Sequence, residues 1–167
     1  MMFSTRSEYG VRVMIQLGRR DGAGPVSLAE VAESEQLPLA YLEQLISRLR
    51  KAELVKSTRG AHGGYELARA PEKITMAQVV EALEGTLAPM QCLTDPATSR
   101  VLCNHELDAD ENCATKLLWT RVQGSVNRAL EQTTLAELVA FAEHGLGATR
   151  PRRRSRAPQK RSPALQV

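Results

Sequence analysis

The stretch "LAYLEQLISRLRKAELVKSTRGAHGGYELA" restricts the possible folds more than any other part of the chain. Leu42, Leu45, Ile46 and Leu49 fall on one face of a helical wheel, and Glu43, Gln44, Ser47, Arg48, Arg50 and Lys51 on the other, so its first half predicts an amphipathic helix. Two short β-type runs, 54–58 and 65–68, then flank a glycine-rich turn. Upstream, "TRSEYGVRVMIQLGRR" reads as a helix with Tyr9, Val13, Ile15 and Leu17 on one side, broken by "DGAGP". Ser27 and Glu30 form an S-x-x-E capping box that starts a short second helix, and "EQLP" is a turn. Helix, short helix, turn, amphipathic helix and hairpin, in that order, predict a winged helix-turn-helix. The fold class is mainly α with a small β-hairpin wing.

Beyond the hairpin, Thr75 and Gln78 cap a helix over "ITMAQVVEALEG". "ATKLLWTRVQGSVNRALEQ" is a long helix with Ala114, Leu117, Leu118, Val122, Val126 and Leu130 on its apolar side. Such a helix has little local core to cover, so pairing with a second copy in a two-fold homodimer is expected. "TTLAELVAFAEHG" is a further helix, capped by Thr133 or Thr134 and closed by Gly145. These elements divide the chain into a winged helix-turn-helix region (1–70), a cysteine loop with dimerisation helices (71–148) and a basic tail (149–167) read as disordered.

Charge is uneven along this plan. Residues 1–69 carry 10 basic and 8 acidic side chains, residues 70–149 carry 5 and 11, and residues 150–167 carry 7 and none. The front is slightly basic, the middle acidic and the tail strongly basic, as expected for a polyanion-binding chain. No apolar run is long enough to span a membrane, and "MMFSTRSEYG" lacks the apolar core of a signal peptide. The reading is cytoplasmic, where thiols stay reduced.

All three cysteines, Cys92, Cys103 and Cys113, lie in one polar stretch, "CLTDPATSRVLCNHELDADENC". An odd number of reduced thiols argues against a disulfide framework and for metal binding or redox sensing. The C-x10-C-x9-C spacing does not by itself choose the metal. Structural zinc usually shows close C-x2–4-C pairs, which are absent, whereas an iron–sulfur cluster tolerates looser spacing and a fourth ligand that is not cysteine. A zinc-stapled or cluster-free module without sensing is the alternative. No catalytic residues are expected. His105 beside Cys103 is the one nucleophile–base pair in view, and nothing near it supplies an oxyanion hole.

"YLEQLISRLRKAELVKSTRGAHGGYELA", with a cysteine cluster after the next helix, resembles the Rrf2 family of bacterial winged-helix regulators, and within it the iron–sulfur cluster regulators. "RSEYGVRVMIQLG", "GPVSLAEVAE" and "LAELV" fit the same family, and the resemblance covers roughly residues 1–145. It implies a homodimer that binds palindromic double-stranded promoter DNA and carries a 2Fe–2S or 4Fe–4S cluster sensing redox, iron–sulfur or nitric oxide status. Cys92, Cys103 and Cys113 are then the thiolate ligands. At the position of the family's histidine, three residues after the last cysteine, this chain has Lys116, whose protonated amine offers no lone pair. Some relatives instead use an acidic residue of the first helix, contributed by the partner subunit. This makes Glu8 the expected fourth ligand and His105 the alternative, with Asp108 and Asp110 also within the loop.

The exposed face of the amphipathic helix is the expected DNA reader. In the major groove a carboxylate can accept from cytosine N4 and a Gln amide can pair with adenine, which suits Glu43 and Gln44. The resemblance implies base reading by Glu43 in particular. Tyr41, Ser47, Arg50, Lys51 and the wing's Arg59 complete the DNA-binding set. Arg48 and Lys56 are further candidates for phosphate contacts, which supply affinity rather than sequence choice. Gly60, Gly63 and Gly64 read as turn residues.

Overall fold

The computed structural model describes residues 4–60, 63–85 and 114–145. Its elements are α1 (Thr5–Arg19), α2 (Leu28–Glu35), α3 (Leu39–Lys51), β1 (Val55–Thr58), β2 (Gly64–Leu67), a 3-10 turn (Pro71–Lys73), α4 (Met76–Glu84), α5 (Ala114–Gln132) and α6 (Leu135–His144). This is the winged helix-turn-helix order expected from the sequence.

Helix α1 is the post around which the rest packs. Val13, Met14 and Leu17 are buried on it, so the stripe runs through Met14; Ile15, expected inside, is half-buried. Two glycines let neighbours approach its backbone. A Cβ at Gly10 would collide with the Leu83 side chain of α4, and one at Gly18 would lie 2.7 Å from Val139 Cγ2 of α6. Helix α3 buries Leu42, Leu45, Ile46 and Leu49, the four residues its periodicity selects. One core therefore joins α1, α2, α3, α4 and Leu135 at the start of α6.

The wing is an antiparallel pair with Val55 opposite Leu67 and Thr58 opposite Gly64. It gains a rung that the sequence did not indicate. Val26, ahead of α2, exchanges two 2.9 Å hydrogen bonds with Tyr65. This explains the glycines better than turn chemistry alone. Only Gly60 has a positive φ, +124°; side chains at Gly63 and Gly64 would meet the carbonyls of Thr58 and Val26.

The helix starts show where local signals held. Thr75 and Gln78 form the full capping box, at 3.4 and 3.2 Å. Thr134, not Thr133, caps α6, accepting from Glu137 N at 3.2 Å. The Ser27–Glu30 box does not form: Ser27 holds the cap position without a side-chain bond, and Glu30 pairs with Arg20 at 2.7 Å. A guanidinium from the end of α1 takes the carboxylate in place of the backbone amide. The starts of α4 and α6 are joined by hydrogen bonds from Met76 N to Thr133 O (2.9 Å) and from Leu135 N to Ile74 O (2.8 Å). Helix α5 buries no residue, and Leu117 and Leu118 are 54% and 56% exposed.

Candidate DNA-reading face and ligand site

The outer face of α3 follows from the burial of its inner face. With Leu42, Leu45, Ile46 and Leu49 facing the core, Glu43, Gln44, Arg50 and Lys51 are exposed and Ser47 is half-buried. The carboxylate of Glu43 and the cations of Arg50 and Lys51 have no partner among the described residues, so all three remain available to a ligand. Tyr41 is half-buried. Its ring meets Tyr9 edge-on at 5.8 Å, and its hydroxyl lies 3.5 Å from Thr5 Oγ1. It therefore braces α3 against α1 while bordering the outer face. Arg59 is exposed at the end of the wing, unpaired among the described residues. Lys56 instead lies across from Glu66 in an exposed ion pair of 3.3 Å. Such a pair is weak, so the cation can still be drawn to phosphate.

Arg48 behaves differently from its neighbours. Its Nη1 donates to the backbone carbonyl of Leu83 at 3.1 Å, at the C-terminal end of α4. It is exposed, but its bond runs to another helix rather than along its own.

A second set of groups gathers at the start of α1. Glu84 Oε1 accepts from Ser4 N (3.1 Å), Ser4 Oγ (2.5 Å) and Ser7 Oγ (2.7 Å). Partial burial pushes its carboxyl up, but the bonds from Ser4 and Ser7 outweigh this and hold its pKa below the ordinary glutamate value. The sequence carried no local sign of this clasp, because its partners are 77 and 80 residues apart. The only hint was Ser4 in the N-cap position of α1.

Glu8, one turn into α1, is exposed and has no partner among the described residues. Arg12, four residues on, is the obvious internal partner. It pairs instead with Glu35 at the end of α2 (3.0 Å), whose carboxylate also accepts from Gln16. A carboxylate that is only 16% exposed and doubly bonded wins over an i,i+4 surface pair worth about 0.2–0.5 kcal/mol. Glu8, Ser7, Arg12, Val80 and Leu130 line an open cavity of about 680 Å³ between α1, α4 and α5. Cys92, Cys103, Cys113, His105, Asp108 and Asp110 lie outside the described residues, as does the basic tail. Among the described residues no group of His, Cys, Asp or Glu is assembled to hold a metal, and no helix is long and apolar enough to cross a membrane. Lys116 falls in the first turn of α5.

Comparison with known proteins identifies the architecture. The profile of the Rrf2 family, described as an iron-dependent transcriptional regulator, matches residues 3–141. The HTH-type transcriptional regulator CymR of Bacillus subtilis is 38% identical over 143 residues, 86% of this chain and 93% of that protein. The HTH-type regulator IscR of Sodalis glossinidius is 36% identical, covering 86% of this chain and 82% of that one. Among solved structures, CymR, the global cysteine regulator of B. subtilis, superposes with a TM-score of 0.69 at 38% identity over 84% of this chain and 98% of that one. T. potens IscR does so with a TM-score of 0.68 at 38% identity, over 87% and 91%.

Proposed function

The chain belongs to the Rrf2 family of transcriptional regulators, which are not enzymes, and from that premise we propose that it is a dimeric promoter-binding protein whose DNA affinity is tuned by an iron–sulfur cluster. Cys92, Cys103 and Cys113 would hold the cluster, with Glu8 of the partner subunit as fourth ligand. The cluster would supply an electron- and ligand-sensitive centre, easier to open at a carboxylate than at a thiolate. The chain's own residues do the rest. Glu43 and Gln44 read base edges, Arg50, Lys51 and Arg59 take phosphates or the minor groove, and Tyr41 and Ser47 set the helix in place. The preferred duplex is palindromic, matching a two-fold dimer formed through α5. On this reading residues 1–70 read DNA, residues 71–148 sense and dimerise, and the tail at 149–167 adds non-specific affinity.

The observation that carries the reading is Glu8. Its carboxylate is exposed beside an open cavity, and its nearest basic neighbour on the helix is committed to Glu35. An ion-paired Glu8 would have to give up its partner to act as a ligand. The family's iron-dependent description supports iron over zinc. Anaerobic reconstitution of wild type, Glu8→Ala and His105→Ala, read by iron, sulfide and the visible spectrum, tests it. Wild type should be coloured, and Glu8→Ala should lose or destabilise the cluster. A Glu8→Ala protein with the wild-type spectrum, beside a His105→Ala protein without one, would transfer the fourth ligand to the loop.

A cluster-free regulator is the second reading, favoured by the 38% identity to a cysteine regulator. Colourless protein without iron and sulfide, after anaerobic reconstitution, would establish it.

A further inference from the structure

The Leu83 carbonyl that receives Arg48 belongs to the last turn of α4. The final carbonyls of a helix have no partner inside it, and cations near them are stabilising. Helix α4 has no basic residue of its own in that turn. The charge comes from another helix, α3, and from the segment that also carries the DNA-reading residues. The next residue, Glu84, binds the first turn of α1 through Ser4 and Ser7. One short turn is thus clasped from two sides, by a cation at its carbonyl end and by the N-terminus of α1. Arg48, Glu84, Ser4, Tyr41 and Gln44 line a single groove of about 380 Å³ between α1 and α3. Gln44, a proposed base reader, therefore stands beside the clasp. The turn ends at Gly85, seven residues before Cys92 in the sequence.

We propose that Arg48 is a positioning residue for DNA reading: it makes no DNA contact of its own but ties the recognition helix to the C-terminal turn of α4, so the presentation of Glu43 and Gln44 depends on where that turn sits. The inference rests on α3 being the DNA-reading helix. Its chemistry differs from that of the neighbouring cations. Arg50 and Lys51 are unengaged and suited to phosphate, whereas the Arg48 guanidinium, though exposed, is anchored through Nη1 to a protein carbonyl. The turn it holds ends seven residues before Cys92 in the sequence.

The test uses the full chain and two duplexes: one selected from a randomised pool by the wild-type protein, and a shuffled duplex of equal composition. Arg48→Met should lower affinity for the selected duplex by about tenfold. It should leave affinity for the shuffled duplex unchanged, along with the slope of log K against log salt. Arg48→Lys, which keeps a donor and a charge, should recover part of the loss. Arg50→Met provides the contrast, weakening both duplexes and reducing the slope by about one phosphate contact. An Arg48→Met protein that behaves like Arg50→Met would overturn the proposal, as would one whose preference for the selected duplex is unchanged. If Arg48→Met does not fold, Arg48→Gln, which keeps a donor but removes the charge, is read on the same two scales, and a lowered slope there overturns the proposal equally. A wild-type protein that selects no duplex at all would remove the DNA-reading premise and the positioning role with it.

Discussion

Helices α3 and α5 are both amphipathic, yet they have opposite fates within one chain. Helix α3, of 13 residues, buries Leu42, Leu45, Ile46 and Leu49, leaves Leu39 exposed at its start and turns a polar face outward. Helix α5, of 19 residues, buries none, and Leu117 and Leu118 remain more than half exposed. The inner face of α3 is satisfied by the chain itself, so its outer face is free for a polar, charged partner. On α5, Leu130 packs against the core and Val122 and Val126 are half-buried, but Leu117 and Leu118 have little cover among the described residues, so a partner at that end would be apolar. A helix of this length with so little cover is marginal by itself. Under the proposed function, the contrast separates the DNA-reading surface from the one that pairs with a second subunit.

Substitutions should break this contrast in a graded way. Leu49→Ala, at a position with no exposure, should destabilise the protein by about 2–5 kcal/mol in urea unfolding. Leu117→Ala should cost about 0.5 kcal/mol or less in an isolated subunit. Comparable losses from both would mean that α5 is covered as fully as α3.

Leu118→Glu asks what covers α5. If the dimer forms through α5 as proposed, a carboxylate on its apolar side should shift the protein to monomer in sedimentation at micromolar concentration. Binding to a palindromic duplex should fall with it, since each half-site would then be held alone. An unchanged dimer would move the interface elsewhere.

The wing and the outer face of α3 should divide by role. Arg59→Ala should weaken binding to every duplex and lower the salt slope by about one contact. Glu43→Ala should retain affinity but lose discrimination worth about 1–3 kcal/mol at one base pair, measured across a panel of duplex variants. An unchanged preference would remove Glu43 from base reading.

The smallest effect belongs to the Glu84 clasp. Its folded pKa lies below the ordinary value of 4.5, so its contribution is fully present above that pH and is lost as pH falls through the lowered value. Glu84→Gln should be less stable than wild type at neutral pH. The two unfolding midpoints should converge on acidification below 4.5. Parallel curves would show that the clasp does not titrate with folding.

The sequence made the elements legible because their signals are local. The α3 stripe, the Thr75–Gln78 box and the glycine-rich hairpin each lie within a few residues, and each appears as read. The family motif lay in the same stretch. Misreadings came from long-range competition. Arg20 drew Glu30 out of its capping box, and the Arg12–Glu35 pair was not indicated by the sequence at all. The Val26–Tyr65 rung and the Glu84–Ser4 clasp join segments far apart in sequence, and no periodicity encodes them. For the candidate site, the sequence nominated Glu8 by resemblance, while its lack of an internal partner emerged only from the packing of α1 on α2. Arg48 was readable as a cation on the polar face, but its carbonyl partner was not.

The most direct test of the account is the affinity of the full chain for its selected duplex, measured anaerobically at one salt concentration, for cluster-loaded and chelator-stripped protein. The account predicts a difference of about tenfold or more, within the usual range of coupling between two sites, and its disappearance in Glu8→Ala. Equal affinities for a protein shown to gain and lose iron and sulfide would contradict it.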